Sequence, residues 1–304
     1  MCSLKEKLSN LDGIEYKCNC DLKTLSTWGT GGIAEIVFFP KTKMDIVSIK
    51  AKFPEAIIIG NGSNILFSKN RIVRPIIVTK KMDKKIVFND CTVSVSAGVG
   101  ISQLCVECAK RGLGGLENLF GIPGTVGGAL IMNAGAFGTE ICDCLQSVEV
   151  FCKGRVKLLT KEDIKFSHRY SSLEKEGVIL EACFKLKKEK EKTLEEKIKQ
   201  NILWRQEHQP AGKSAGSVFK RAIEPAGLLI DKCGLKGIRV GGAVVSHRHA
   251  NFIINDNNAS ADDILALIKL IKDEVYKTFG VLLEEEIVIV GEEYDSNGRL
   301  SHTF

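Results

Sequence analysis

Read from its N-terminal end, the pattern of apolar and polar positions starts as a β-α-β unit. The run 34–39 (AEIVFF) predicts a strand closed by Pro40. Residues 42–52 fit a short helix, and 56–59 (AIII) a short buried strand leading into Gly60. A second region opens near Arg74. It has strands expected at 76–78 and 85–97, a helix over 101–111, a glycine-rich stretch over 112–138, and further strands at 147–152 and 178–186. The segment KKEKEKTLEEKIKQ alternates in charge sign and reads as a solvated helix face or a connector between domains. From residue 211 onward the pattern gives a helix at 224–233, strands near 243–245 and 252–254, a long helix over 262–279, and a last strand at 287–290. The long helix carries the clearest signals. Ser260 is its expected N-cap, with Asp263 three residues on. Ile264, Leu267, Ile268, Ile271 and Val275 form an apolar stripe, and Gly280 is the stop. No internal repeat is visible, and the tail after Gly291 reads as peripheral.

Composition narrows the class. The chain has 304 residues, enough for two or three domains, and is 44% hydrophobic and 26% charged, as globular proteins are. Its net charge of +6 favours a phosphate-bearing ligand only mildly. No compact basic stripe interleaves with aromatics, so nucleic acid is not an expected partner. No apolar run is long enough for a membrane span, and MCSLKEKLSNLDG has no signal-peptide core, so a cytoplasmic protein without a membrane partner is expected. There the 11 cysteines should be thiols. Cys105 and Cys108 form a C-x-x-C inside an amphipathic helix pattern. Neither they nor the pairs Cys18/Cys20 and Cys142/Cys144 have the histidine or second pair that a zinc site needs.

Two short motifs mislead. Gly212-Lys213-Ser214 resembles the end of a phosphate-binding P-loop, but Glu207 stands where the first glycine should be and no strand precedes it. Gly29-Thr30-Gly31-Gly32-Ile33-Ala34 matches G-x-G-x-x-A, but these glycines lead into a strand, not out of one into a helix. A conventional dinucleotide fold is not expected.

Four segments carry candidate chemistry. In IIIGNGSNIL a buried strand runs into Gly60, Asn61, Gly62, Ser63 and Asn64, where glycines let backbone N–H groups approach a pyrophosphate; an ordinary N-G turn has the same composition. GGLENLFGIPGTVGGALIMNAGAFG, 114–138, is glycine-rich yet apolar. It therefore reads as buried backbone pressed against something flat or phosphorylated, or as a tight crossover in the core. In FSHRYSS, Arg169 could grip a carboxylate, although a lone loop arginine is usually a surface residue. In SAGSVFKR and LLEEEIVIVG, Ser217 sits in a small-residue turn and Glu286 opens an apolar strand, where a carboxylate needs a reason to be.

Taken in order, these segments resemble a known family. G-N-G-S-N, G-L-G-G-L-E-x-L-x-G-I-P-G-T-V-G-G-A, N-A-G-A-F-G, R-x-S, A-G-S-V-F, the G-A-x-V-S-x-x-H-A-N-F-I-x-N run ending in His249 to Ile253, and L-E-x-E-I together are similar to the MurB family of UDP-N-acetylenolpyruvoylglucosamine reductases, over nearly the whole chain. The resemblance implies an α+β protein. Two lobes of a vanillyl-alcohol-oxidase (PCMH) type FAD-binding unit, 1–73 and 74–200, would be followed by an α+β substrate-binding domain, 201–285, and a C-terminal strand and tail, 286–304. It implies FAD held by Gly60, Asn61, Gly62, Ser63, Asn64, Gly98, Gly121, Pro123, Gly124, Thr125, Gly127, Gly128, Asn133 and Gly135. NADPH would reduce the flavin and leave before the UDP-sugar enters. Arg169, Glu286 and Ser217 would then be the catalytic residues: Arg169 stabilising the enolate, Glu286 assisting in its protonated form, and Ser217 protonating the carbon. His168, His208, Lys220 and Arg221 would contact substrate. The absence of tyrosine from 187–207 matches the shorter, type II form, and a monomer is expected. This chain departs from the family pattern at His168 (usually Tyr), His208 (usually Lys), Gly29 (usually Arg) and Glu285 (usually Pro). Another flavin oxidase or dehydrogenase of the same fold is the alternative; the chain lacks a His or Cys placed for covalent flavin attachment. A fold kept only as a scaffold should have lost Ser217 or Arg169.

Overall fold

The computed structural model describes residues 8, 11, 13–68 and 70–291; the peripheral tail lies outside them. The chain forms two compact units. The first takes the described residues up to Lys17, Ile36–Asn61 and Pro75–Arg205. The second takes Cys18–Glu35, Gly62–Arg74 and the described residues from Gln206 onward.

In the first unit the β-α-β reading holds. Strand Ile33–Phe39 enters it at Ile36 and runs parallel to Ile76–Val78, which pairs in parallel with Ile57–Ile59. The intervening helix, Lys43–Lys52, starts with a capping box: Thr42 Oγ1 accepts the Asp45 N–H and Asp45 returns the bond to the Thr42 N–H. Ile36, Phe38, Ile46, Ile49, Phe53 and Ile77 bury its apolar face.

The rest of this unit is an antiparallel sheet in the order Arg155–Thr160, Leu145–Cys152, Val178–Lys185, Thr92–Ser96, Ile86–Asn89. The strand expected over 85–97 is in fact a hairpin. It turns at Asp90, whose φ of 48° an acidic side chain tolerates better than most. Strand Arg155–Thr160 was not expected. It is an edge strand with Val156 and Leu158 left exposed, so no clean alternation announces it. The charged segment is the helix Glu191–His208, buried only at Leu194, Ile198 and Asn201.

Cys105 and Cys108 lie in helix Ile101–Ala109, both buried in the core. Burial pushes both thiols up, Cys108 to about 12. A thiolate is the reactive form, so both should resist iodoacetamide at neutral pH in the native protein and react only on unfolding. Mass mapping of labelled peptides checks this; native labelling of either would contradict the packing.

The second unit centres on Trp28, fully buried, whose indole Nε1 donates to the Ile253 carbonyl at 2.8 Å. Its three-stranded antiparallel sheet, Arg239–Val240, Ala243–Val245, Ile253–Asn255, packs with helices Ala226–Lys232 and Ala261–Phe279 in one core. The long helix has the expected ends. Ser260 and Asp263 exchange hydrogen bonds of 3.0 and 2.9 Å, and Gly280 closes it at φ 66°. Ile65–Phe67 pairs in parallel with Val288–Val290. Among the described residues no helix is long and apolar enough to cross a membrane.

Candidate active site

The glycine-rich segments of the first unit are laid against one another. A Cβ on Gly60 would overlap Thr125 Oγ1, and one on Gly98 would overlap the Thr79 carbonyl oxygen. Asn61 Nδ2 donates to the Pro123 carbonyl at 2.7 Å. Val126 and Gly127 donate their N–H groups to the carbonyls of Val99 and Ala97, so the 121–128 loop runs along the 97–101 turn; Ile101 completes the tie by donating to the Gly124 carbonyl. Thr125 caps the short helix Val126–Ile131 by accepting the Gly128 N–H. Gly128 itself is exposed, and no hydrogen bond joins the N–H of Asn61 or of Gly124 to another described residue. The result is a narrow backbone cradle with free donors.

Beyond the cradle, Asn133 is fully buried at φ 41°. Its Nδ2 donates to Glu140 Oε2 at 2.6 Å and to the Ser167 carbonyl at 3.1 Å. That second bond anchors a two-residue hairpin, Phe166–Ser167 with Tyr170–Ser171, whose tip is His168-Arg169. Arg169 has φ 56°, a conformation that disfavours a bulky residue by about 1–2 kcal/mol. Its Nη2 donates to the Gly135 carbonyl at 3.1 Å. Strain of this kind persists where surrounding contacts over-determine it, as at functional sites. His168 is exposed, 4.0 Å from Glu140. Gly121 packs against the side chain of Arg205, which also stands 5.5 Å over the Phe137 ring, with Trp204 edge-on to that ring. The sequence reading did not single out these three.

In the second unit, the segments around Ser217 and Glu286 pair. The Glu286 N–H donates to the Val218 carbonyl at 2.8 Å, the Lys220 N–H to the Glu284 carbonyl at 2.9 Å, and Phe219 bridges Glu285. The neighbour of Ser217 is thus bonded to Glu286. Asn64 Nδ2 donates to the Glu286 carbonyl at 3.0 Å, which gives this side chain a role beside Glu286. Gly62, at φ 67°, accepts the Thr27 N–H; a Cβ there would overlap the Leu25 carbonyl oxygen. Ser63 is partly exposed. Lys220 pairs with Glu284 at 3.3 Å, Arg221 is exposed, and His208 lies 3.9 Å from Glu207. Glu285, unusual for the pattern, is nearly buried, and Lys272 neutralises it at 2.9 Å. Glu286 precedes the strand Val288–Val290 rather than opening it.

His249 is half-buried beside Phe252, their rings 4.8 Å apart. Burial holds its imidazole below the ordinary value of 6.5, and Lys236 adds to the effect. The fold therefore prefers the neutral ring. That contribution to stability is complete above pH 6.5 and is lost as pH falls below it, because the unfolded chain takes up the proton first. Urea midpoints should fall between about pH 8 and pH 5. His249→Gln should flatten the fall; an unchanged slope would contradict this origin.

Comparison with known proteins adds to this geometry. Residues 207–290 match the C-terminal domain model of UDP-N-acetylenolpyruvoylglucosamine reductase, and residues 34–158 match an FAD binding domain model. The UDP-N-acetylenolpyruvoylglucosamine reductase of Thermosipho melanesiensis is 39% identical over 93% of this chain and 97% of its own. That of Halalkalibacterium halodurans is 38% identical over 95% and 99%. Among solved structures, UDP-N-acetylenolpyruvylglucosamine reductase (MurB) from Thermus caldophilus superposes with a TM-score of 0.78 at 33% identity, covering 91% of this chain and 99% of its own.

Proposed function

The chain belongs to the UDP-N-acetylenolpyruvoylglucosamine reductase family, a family of oxidoreductases, and from that premise we propose that it reduces the enolpyruvyl ether of UDP-N-acetylglucosamine to the lactyl ether, UDP-N-acetylmuramate, with NADPH, in peptidoglycan precursor synthesis. The observation that carries this reading is the backbone pairing that sets the carrier of Ser217 beside Glu286, in a chain that also has an FAD-binding domain.

The cradle in the first unit fits a flavin cofactor. Its glycines bring bare backbone to the surface of the loop, and the N–H groups of Asn61 and Gly124 are available to a pyrophosphate. Gly60, Asn61, Gly98, Gly121, Pro123, Gly124, Thr125, Gly127, Gly128, Asn133 and Gly135 would hold it, with Gly62, Ser63 and Asn64 continuing the same loop. When bound, FAD would supply hydride-transfer chemistry between NADPH and the methylene carbon of the enol ether.

The residues of the chain do the rest. Negative charge develops at the carbon next to the methylene and spreads into the carboxylate. Arg169, held at the hairpin tip, supplies a fixed cation for that charge. Glu286, protonated, donates a hydrogen bond to the enolic acid, since an ionised carboxylate has no proton to give. Ser217 Oγ gives its proton to the carbon, and solvent restores the hydroxyl. His168, His208, Lys220 and Arg221 contact the UDP-sugar. The enzyme works as a cytoplasmic monomer of the shorter, type II form.

Mass spectrometry tests the reaction. With NADPH and the enolpyruvyl sugar nucleotide, the product should gain two hydrogens, and in deuterated water deuterium should appear at the carbon Ser217 protonates. Recovery of unreduced substrate from protein loaded with FAD would overturn the reading.

A further inference from the structure

Asn251 is 7% exposed, and both ends of its side-chain amide bond to one residue. Its Oδ1 accepts the Phe219 N–H at 2.9 Å and its Nδ2 donates to the Phe219 carbonyl at 2.9 Å. The Asn251 carbonyl also accepts the Val218 N–H at 2.9 Å. A side chain here does what a neighbouring strand would do, pairing both backbone groups of Phe219. The other edge of the segment is occupied too, because the Val218 carbonyl accepts the Glu286 N–H. Residues 218 and 219 are therefore clamped from both sides, and Ser217 hangs from the end of the clamp.

On its other side, Ser217 follows Gly216, at φ 77°, where a Cβ would meet nothing within 4 Å. Gly216 adds no packing of its own, so the bonded pair 218–219 is the fixed point from which Ser217 projects. Asn251 is held in turn: its N–H donates to His249 Nδ1 at 3.2 Å, and the His249 N–H donates to Ser246 Oγ at 3.2 Å. Its Cβ lies 3.5 Å from where a side chain on Gly227 would begin.

We propose that Asn251 is a positioning residue for proton delivery: it aims Ser217 and fixes its spacing to Glu286 without touching substrate. This rests on the role given to Ser217 above. Misplacement of a reacting group by about 1 Å costs on the order of a hundredfold in rate, so a loosened clamp should be visible in kinetics before it is visible in stability.

The experiment separates the two half-reactions of the FAD-loaded protein. Flavin is reduced with dithionite and mixed with the enolpyruvyl sugar nucleotide, and reoxidation is followed. Asn251→Ala removes the clamp. Asn251→Asp keeps its size but sets an oxygen against the Phe219 carbonyl, and serves if the alanine variant does not fold. Either variant should slow reoxidation at saturating substrate about 10- to 100-fold while NADPH reduction of the flavin stays normal. Leu267→Ala, a core change in the same unit, should lower Tm without this split. The double variant Ser217→Ala/Asn251→Asp should be no slower than Ser217→Ala alone, because both changes act through one hydroxyl. Multiplying effects, or equal slowing of both half-reactions, would overturn the proposal. If Ser217→Ala by itself leaves reoxidation unchanged, the reading of Ser217 has failed, and that outcome is distinct from failure of the clamp.

Discussion

Replacing Ser217 with alanine is expected to slow reoxidation of the reduced flavin by the enolpyruvyl substrate by about 10²–10⁴-fold, the range a positioned proton donor supplies. Flavin reduction by NADPH should keep its rate, since no proton passes through Ser217 in that step. The change removes one hydroxyl from a partly exposed turn and leaves the pairing of 218–220 with 284–286 in place, so stability should hardly move. Stopped-flow absorbance read separately for each half-reaction checks this. Slowing of both to the same degree would point to distortion instead of chemistry.

Gly62→Ala is expected to have the largest effect on stability. The new methyl group would overlap the carbonyl oxygen of Leu25, and φ of 67° disfavours alanine besides. Neither partner can yield cheaply. Gly62 accepts the Thr27 N–H at 3.1 Å, and Leu25 is buried. A loss of about 3 kcal/mol or more follows, well beyond a typical point change. Gly154→Ala is the control. Gly154 has φ 77° in the turn before strand Arg155–Thr160, but open space around it, so only the backbone penalty of about 1–2 kcal/mol applies. Urea titrations of both variants separate the terms. Equal losses would mean that the close approach at Leu25 is relieved by movement.

What local pattern encodes was readable before the structure. The helix Ala261–Phe279 shows both caps and its stripe because each signal lies within a few residues of its partner. The glycines of 60–62 and 121–128 were legible because only glycine allows such approach. Turns made without glycine were hidden: Asp90 closes a hairpin inside what reads as one continuous strand, and Arg169 takes a positive φ at a hairpin tip bonded to Gly135. The roles of Asn251 and Lys272 were hidden for a different reason. One pairs with Phe219, 32 residues away, and the other with Glu285, 13 residues away, so their meaning depends on the fold that brings them there. Likewise, residues 18–35 and 62–74 group with those beyond 206 through contacts that no local periodicity records. The order of motifs gave the candidate residues; the backbone pairing of Val218 with Glu286 brings the segments that carry Ser217 and Glu286 together.

The reduction of the enolpyruvyl sugar nucleotide is tested most directly by the visible spectrum of the FAD-loaded protein under anaerobic conditions. NADPH is added first and the enolpyruvyl UDP-sugar second. The flavin band is expected to bleach with NADPH and to return in full with the sugar nucleotide. A band that bleaches and stays bleached would contradict it.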